Sequence, residues 1–267
     1  MTTIAEACAA VLSTADPRAK VRAARRTARE WRAGRLVLDF AAPMPESPAR
    51  PARPEFLPPA RMARRGRAGS EAGRIAMLHA VAHIEFSAID LAFDVAGRFG
   101  GQFPRAFVDD WMRVGADEAM HFALLDRRLR ALGSHYGALP AHDGLWQAAG
   151  ATRHDALARL AVVPMVLEAR GLDVTPAMVE RFARGGDGTS ARILTRILND
   201  EIRHVGTGVR WFGFVCAAQR FEPAVTWHKM VREHFGGSLK PPFNDSARAS
   251  AGLTKEYYAA LAAGEQA

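Results

Sequence analysis

The sequence predicts an all-α protein built on a four-helix bundle, with two short helices and a proline-rich arm before it and a helical extension after it. Three observations carry this. Apolar residues recur at three- and four-residue spacing in Phe107, Trp111, Val114, Leu125 and Leu132, and again in Ile193, Ile197 and Trp211, the stripe of a core-facing helix. In the middle of each row stands a Glu-x-x-His set, Glu118 with His121 and Glu201 with His204. A further Glu precedes each set by 33 residues, Glu85 before Glu118 and Glu168 before Glu201, so the chain repeats itself in halves.

Taken in order, Thr3 to Leu12 reads as a short helix. Asp16 caps a second, with Pro17 at its first position, running to about Ala33. Between Asp39 and Gly69 the composition changes: Pro43, Pro45, Pro48, Pro51, Pro54, Pro58 and Pro59 rule out a regular helix and predict an extended arm laid along the surface of the domain. Ser70 and Glu71 open a long helix to about Arg98, closed by Gly100-Gly101, and Pro104 starts the next, to about Leu132. Residues 133 to 150 read as a crossover loop. The third bundle helix begins near Arg153; Pro164 should kink it one turn before Glu168, and Gly171 should stop it, with Thr175-Pro176 restarting a short helix to Ala183. The fourth spans Thr189 to about Arg220. Glu222-Pro223 begins one more helix to Phe235, and Pro241-Pro242 introduces a tail with a last short helix around Glu256, Tyr257 and Tyr258. The domain division expected is therefore 1–69 for the N-terminal helices and basic arm, 70–220 for the bundle and 221–267 for the extension.

At 267 residues and 49% hydrophobic, the chain can bury a sizeable core. No apolar run reaches membrane-spanning length by this reading, and the acidic start does not resemble a secretory signal, so a cytoplasmic protein that meets no membrane is expected. Cys8 and Cys216 are too few for a disulfide framework and read as plain thiols. The net charge of +8 is carried wholly by the first 70 residues, which hold 14 Lys and Arg against 6 Asp and Glu. Arg61, Arg64, Arg65 and Arg67 form its densest cluster. Two readings stay open: RNA or another polyanion bound through the basic arm, or solvated charge from an arginine-rich coding bias.

Glu118, His121, Glu201 and His204 occupy positions where Leu or Ile would be expected, and so does Glu85 among Leu78, Ala82 and Ile89. A carboxylate in such a place costs several kcal/mol unless something cationic offsets it. Spacing of three residues puts Glu and His one turn apart on the same helix face, where both can address a single ion. The order Glu, Glu-x-x-His, Glu, Glu-x-x-His on four inward faces is the ligand set of two divalent ions in a ferritin-like bundle. Oxygen-rich donors with one nitrogen each suit iron or manganese better than a thiolate-seeking metal. Asp117 and Asp200, one residue before each metal Glu, are placed to accept the distal N–H of a ligand histidine. His79, His83, Asp90 and Asp94 share another stripe of the first bundle helix; a second ligand set and a polar inter-helix face with His–Asp hydrogen bonds are both open, the latter preferred.

The runs Pro51 to Pro54, Leu78 to Glu85, Val163 to Asp173, Asn199 to His204 and Pro241 to Ser246 resemble the bacterial domain-of-unknown-function family 455, within the ferritin-like superfamily. The likeness extends more distantly to the di-iron monooxygenase that hydroxylates an isopentenyl-type modified adenosine in tRNA. What the resemblance implies is the bundle, two metal ions on Glu85, Glu118, His121, Glu168, Glu201 and His204, and O2 as co-substrate. The expected activity is an O2-activating non-haem di-iron, or mixed Mn/Fe, oxidoreductase that hydroxylates a small or RNA-borne substrate and draws on an external electron donor. Iron or peroxide handling without an organic substrate is the alternative. A tyrosyl-radical role is set aside because Tyr136, Tyr257 and Tyr258 lie outside the four ligand helices, and Trp111 and Trp211 are read as packing rather than as electron conduits.

Overall fold

The computed structural model describes residues 1–58, 61–62 and 70–262. The fold is all-α; among the described residues extended backbone appears only as isolated bridges, Thr3 with Val37 and Phe56 with Ala141. The helices are α1 (Ile4–Leu12), α2 (Pro17–Arg32), α3 (Glu71–Phe99), α4 (Arg105–Ala131), α5 (Gly144–Ala151), α6 (Ala156–Val162), α7 (Ala169–Arg184), α8 (Gly188–Gln219), α9 (Pro223–His234), α10 (Asp245–Ser250) and α11 (Lys255–Ala262). By its internal contacts the chain divides into two units, one of Met1–Gln147 with Arg181–Ile193 and one of Ala148–Glu180 with Leu194–Ala267.

In the first unit the helix starts follow the caps the sequence offers. Thr3 and Glu6 form a capping box on α1, Asp16 accepts from the Ala19 N–H at 2.7 Å with Pro17 at the first position of α2, and Ser70 accepts from Gly73 at the head of α3. α3 is apolar nearly all round and buried on most faces, packing on α4 and α1, while α2 packs on α4. Contrary to expectation, α3 with its following turn (Glu71–Gln102) is long and apolar enough to cross a bilayer. Of its most apolar window 78% lies buried inside the protein, which makes it a core helix. Gly115 of α4 permits the close approach: a Cβ there would stand 2.5 Å from the ring of Phe93.

The arm lies on this unit, as its prolines suggest. The Phe40 ring covers Gly100, Met44 sits against Gly97, Arg98 donates to the Pro45 carbonyl at 2.9 Å, and Ala49 donates to Leu12 at 2.8 Å. Glu55 and Leu57 then pair with Ala141. Arg61 is exposed; Pro59, Arg64, Arg65 and Arg67 lie outside the described residues. The stretch expected to be a loop, 133–150, also holds the start of α5.

In the second unit Pro164 does more than kink a helix. Val163–Glu168 is wound as a π-helix between α6 and α7, with Glu168 as its last residue. Proline brings no N–H to an α-helical ladder, and a wider turn accommodates that loss. The Trp227 indole donates to the Ala161 carbonyl beside this stretch at 3.2 Å. The stop expected at Gly171 and the restart at Thr175-Pro176 are absent: α7 runs unbroken through both. The reason is specific. Pro176 cannot bond the Leu172 carbonyl four residues back, and Asn244 Nδ2 does so instead at 3.1 Å. Asn244 also caps α10, a helix that the sequence reading missed.

Candidate metal centre

In the first unit, α3 and α4 are regular helices, and each points a carboxylate inward where its apolar row would place a Leu or Ile. Glu85 is 4% exposed, Glu118 1% and His121 fully buried. Each offers one ligand atom, and these lie within 4.8 Å of one another. His121 Nδ1 stands 3.1 Å from Glu85 Oε2 and 3.5 Å from Glu118 Oε2. Burial opposes a charge on this imidazole, yet the hydrogen bonds and charges of Glu118 and Glu85 push it up to about 11. That raised affinity for a proton measures the negative potential of the pocket, the condition under which a divalent cation binds well. Two carboxylates and an imidazole this close and this enclosed fit the donor chemistry of iron or manganese.

In the second unit, Glu201 and His204 sit on α8, 8% and 1% exposed, with His204 Nδ1 3.4 Å from Glu201 Oε1. Glu168, half-buried, closes the π-helical stretch. A π-turn adds one residue to the turn, so Glu168 leaves the register its own α-helix would have given it.

Comparison with known proteins now decides the lineage. Residues 13–259 match the family described as Protein of unknown function (DUF455). The chain belongs to this family. A protein of Haemophilus influenzae described as "Uncharacterized protein" is 40% identical to this DUF455 member over 211 residues, which cover 77% of this chain and 73% of the relative. No solved structure matches.

Of the two aspartates expected to orient the histidines, Asp200 is 4% exposed and accepts from Arg196 Nε at 2.6 Å and from Arg203. Asp117 is half-buried and lines a surface concavity with Trp31, Arg105 and Met112. His79, His83, Asp90 and Asp94 do not converge on one ion. The His79 Nε2 accepts from the backbone N–H groups of Gly137 and Leu139, at 2.9 and 3.4 Å, and His83 bridges the Tyr136 hydroxyl and the His142 carbonyl, both at 3.0 Å. Asp94 accepts from Arg98, and Asp90 pairs with Lys20 and, at 3.3 Å, with Arg50. This is the polar inter-element face of the second reading, with arginine, lysine, tyrosine and backbone among its partners.

Two features escaped the sequence reading. Tyr136 lies outside the ligand helices but is buried between them, its ring centroid 5.1 Å from that of Phe86 and 5.0 Å from that of Phe122, the neighbours of Glu85 and His121 in the chain. The second is a latched aspartate in each half: Asp90 falls five residues after Glu85 and Asp173 five after Glu168. Asp173 takes a two-pronged bond from Arg248, Nε to Oδ1 at 2.8 Å and Nη2 to Oδ2 at 2.7 Å. Extending the internal repeat by one and a half turns past each Glu would have found both.

Proposed function

We propose that this DUF455 member is an O2-dependent oxidoreductase of the ferritin-like kind, its two metal ions, iron or manganese or one of each, held by Glu85, Glu118, His121, Glu168, Glu201 and His204. One observation carries the reading: a buried carboxylate–carboxylate–imidazole cluster on α3 and α4, whose residue types and spacing recur in Glu168, Glu201 and His204. Two redox-active ions in that donor set would supply the electrons that reduce O2 and drive hydroxylation of a bound substrate, with an external donor restoring them. The chain's own contribution is to hold and to exclude. Phe86 and Phe122, the chain neighbours of Glu85 and His121, are buried with them, and the Arg196 and Arg203 guanidiniums neutralise Asp200 beside Glu201. The π-helical stretch sets Glu168 where the helix can rewind locally, a natural place for substrate entry. The substrate is a small organic molecule or a nucleotide borne on RNA. Cys8 and Cys216 are free and buried, which suits a reducing cytoplasm.

The test is anaerobic loading with ferrous iron followed by O2. Oxidation of about two irons per chain that then stops, and that disappears in Glu201→Ala, is the expected result. Continued uptake into a mineral would identify an iron-handling ferroxidase instead, and zinc held regardless of the substitution would refute the redox reading.

A further inference from the structure

The arginines of α2 are arranged unlike those of the rest of the chain. Several elsewhere meet acids: Arg105 lies near Asp109, Arg128 bonds Asp187, Arg130 bonds Asp126, and Arg196 and Arg203 share Asp200. Arg18, Arg22, Arg25, Arg26, Arg29, Arg32 and Arg35 are all exposed, and among the described residues none of them meets a carboxylate.

The geometry sharpens the contrast. Arg18, Arg22, Arg25, Arg29 and Arg32 follow one another at alternating spacings of four and three residues, a single stripe along about 21 Å of helix. Arg26 widens it in the middle. Lys20, the one lysine of α2, points the other way, fully buried against Asp90. Arg22, Arg25, Arg26 and Arg29, with Thr14 and Ala19, line an open hollow of about 640 Å³. At the far end of the helix, Arg32 borders a second hollow of about 400 Å³ with Trp31 at its side and Asp117 of α4 in its lining.

We propose that this face of α2 binds the sugar–phosphate backbone of a nucleic acid strand. Guanidinium groups bind phosphate oxygens through paired N–H donors, and a row this long outreaches any single phosphate group. Insertion into a membrane surface would require large apolar side chains among the basic ones. On α2 those residues face inward: Ala24, Ala28 and Trp31 are buried. A strand lying along the stripe is led toward Asp117, which precedes Glu118; only that last relation rests on the proposed metal centre. The binding surface itself shares no residue with the ligand set, so loss of binding and loss of metal are separate results.

The experiment is fluorescence anisotropy with a labelled single-stranded RNA of about 20 nucleotides and its DNA counterpart, titrated with the full chain between about 50 and 300 mM KCl. The variant Arg22→Ala, Arg25→Ala, Arg26→Ala, Arg29→Ala alters only exposed side chains, and its helicity is checked by circular dichroism. Wild type should bind with a steep salt dependence. The alanine variant should bind about tenfold more weakly or worse, with the slope of log K against log salt reduced by roughly 2–3, while the corresponding four-lysine variant keeps the slope. Binding and slope unchanged in the folded alanine variant would overturn the proposal. So would wild-type protein that ignores both oligonucleotides but binds phosphatidylserine vesicles.

Discussion

The two halves of the internal repeat present the same chemistry on differently wound helices. In the first, Glu85 rides an unbroken α3 and the aspartate five residues on, Asp90, is enclosed against Lys20 from α2, with Arg50 of the arm 3.3 Å away. In the second, Glu168 ends a π-helical stretch and Asp173 is clamped by Arg248 from α10. The basic partner comes from before the ligand helices in one case and after them in the other. What the halves keep is the Glu, the Glu-x-x-His set and a latched aspartate; what they vary is winding and clamp. The shared list includes the candidate ligands, and the variable list is where the two halves can differ in rigidity.

Breaking the clamps should separate the halves most. Arg248→Met removes the two-pronged bond to the buried Asp173, leaving it the Asn244 N–H at 3.0 Å and Arg170 at 3.5 Å, and is expected to cost about 3–4 kcal/mol in a denaturant titration. Lys20→Met should cost less, about 2–3 kcal/mol, because burial has already pushed the Asp90 carboxyl up to about 6, so that it neutralises readily. Equal costs would remove the distinction between the two latches.

Acid should also strike the first half through His79. Burial lowers His79 from 6.5 to about 4, and the residue equivalent to it in the repeat is Val162. The folded state favours the neutral ring, so its contribution is fully present above pH 6.5 and is lost as the pH falls toward 4, on the order of 2 kcal/mol. Stability measured across that range should fall less in His79→Gln than in wild type.

The smallest effects should come from Gly208 and Gly115, two of the close-packed glycines. An Ala at Gly208 would place its Cβ 2.5 Å from Cβ and Cγ of the rigid Pro164 ring, and the expected cost is about 2 kcal/mol. At Gly115 the obstacle is the edge of Phe93, which can tilt, and about 1 kcal/mol is expected. Thermal melts of both variants check the order; a costlier Gly115→Ala would show that the first half is the more tightly packed.

Much of this was legible in the sequence because it depends on local rules. Asp16-Pro17, Ser70 and Glu222-Pro223 mark helix starts by capping chemistry alone, and the six candidate ligands stand out as charges in apolar rows. What stayed hidden depends on partners distant in the chain. Gly171 and Pro176 read as breaks until Asn244 satisfies the carbonyl that Pro176 leaves, and Pro164 announces a disturbance without saying that it is a π-turn. His79 and His83 carry no mark of their role because their partners, around Tyr136 and His142, lie more than fifty residues away.

The most direct measurement is elemental analysis of untagged protein, wild type beside Glu118→Ala and Glu201→Ala, one substitution from each half. A shared dimetal centre predicts about two iron or manganese ions per chain in wild type and their loss in both variants. No metal in wild type, or an amount that neither substitution changes, would contradict it and leave the buried carboxylates of α3, α4 and α8 in want of another cation.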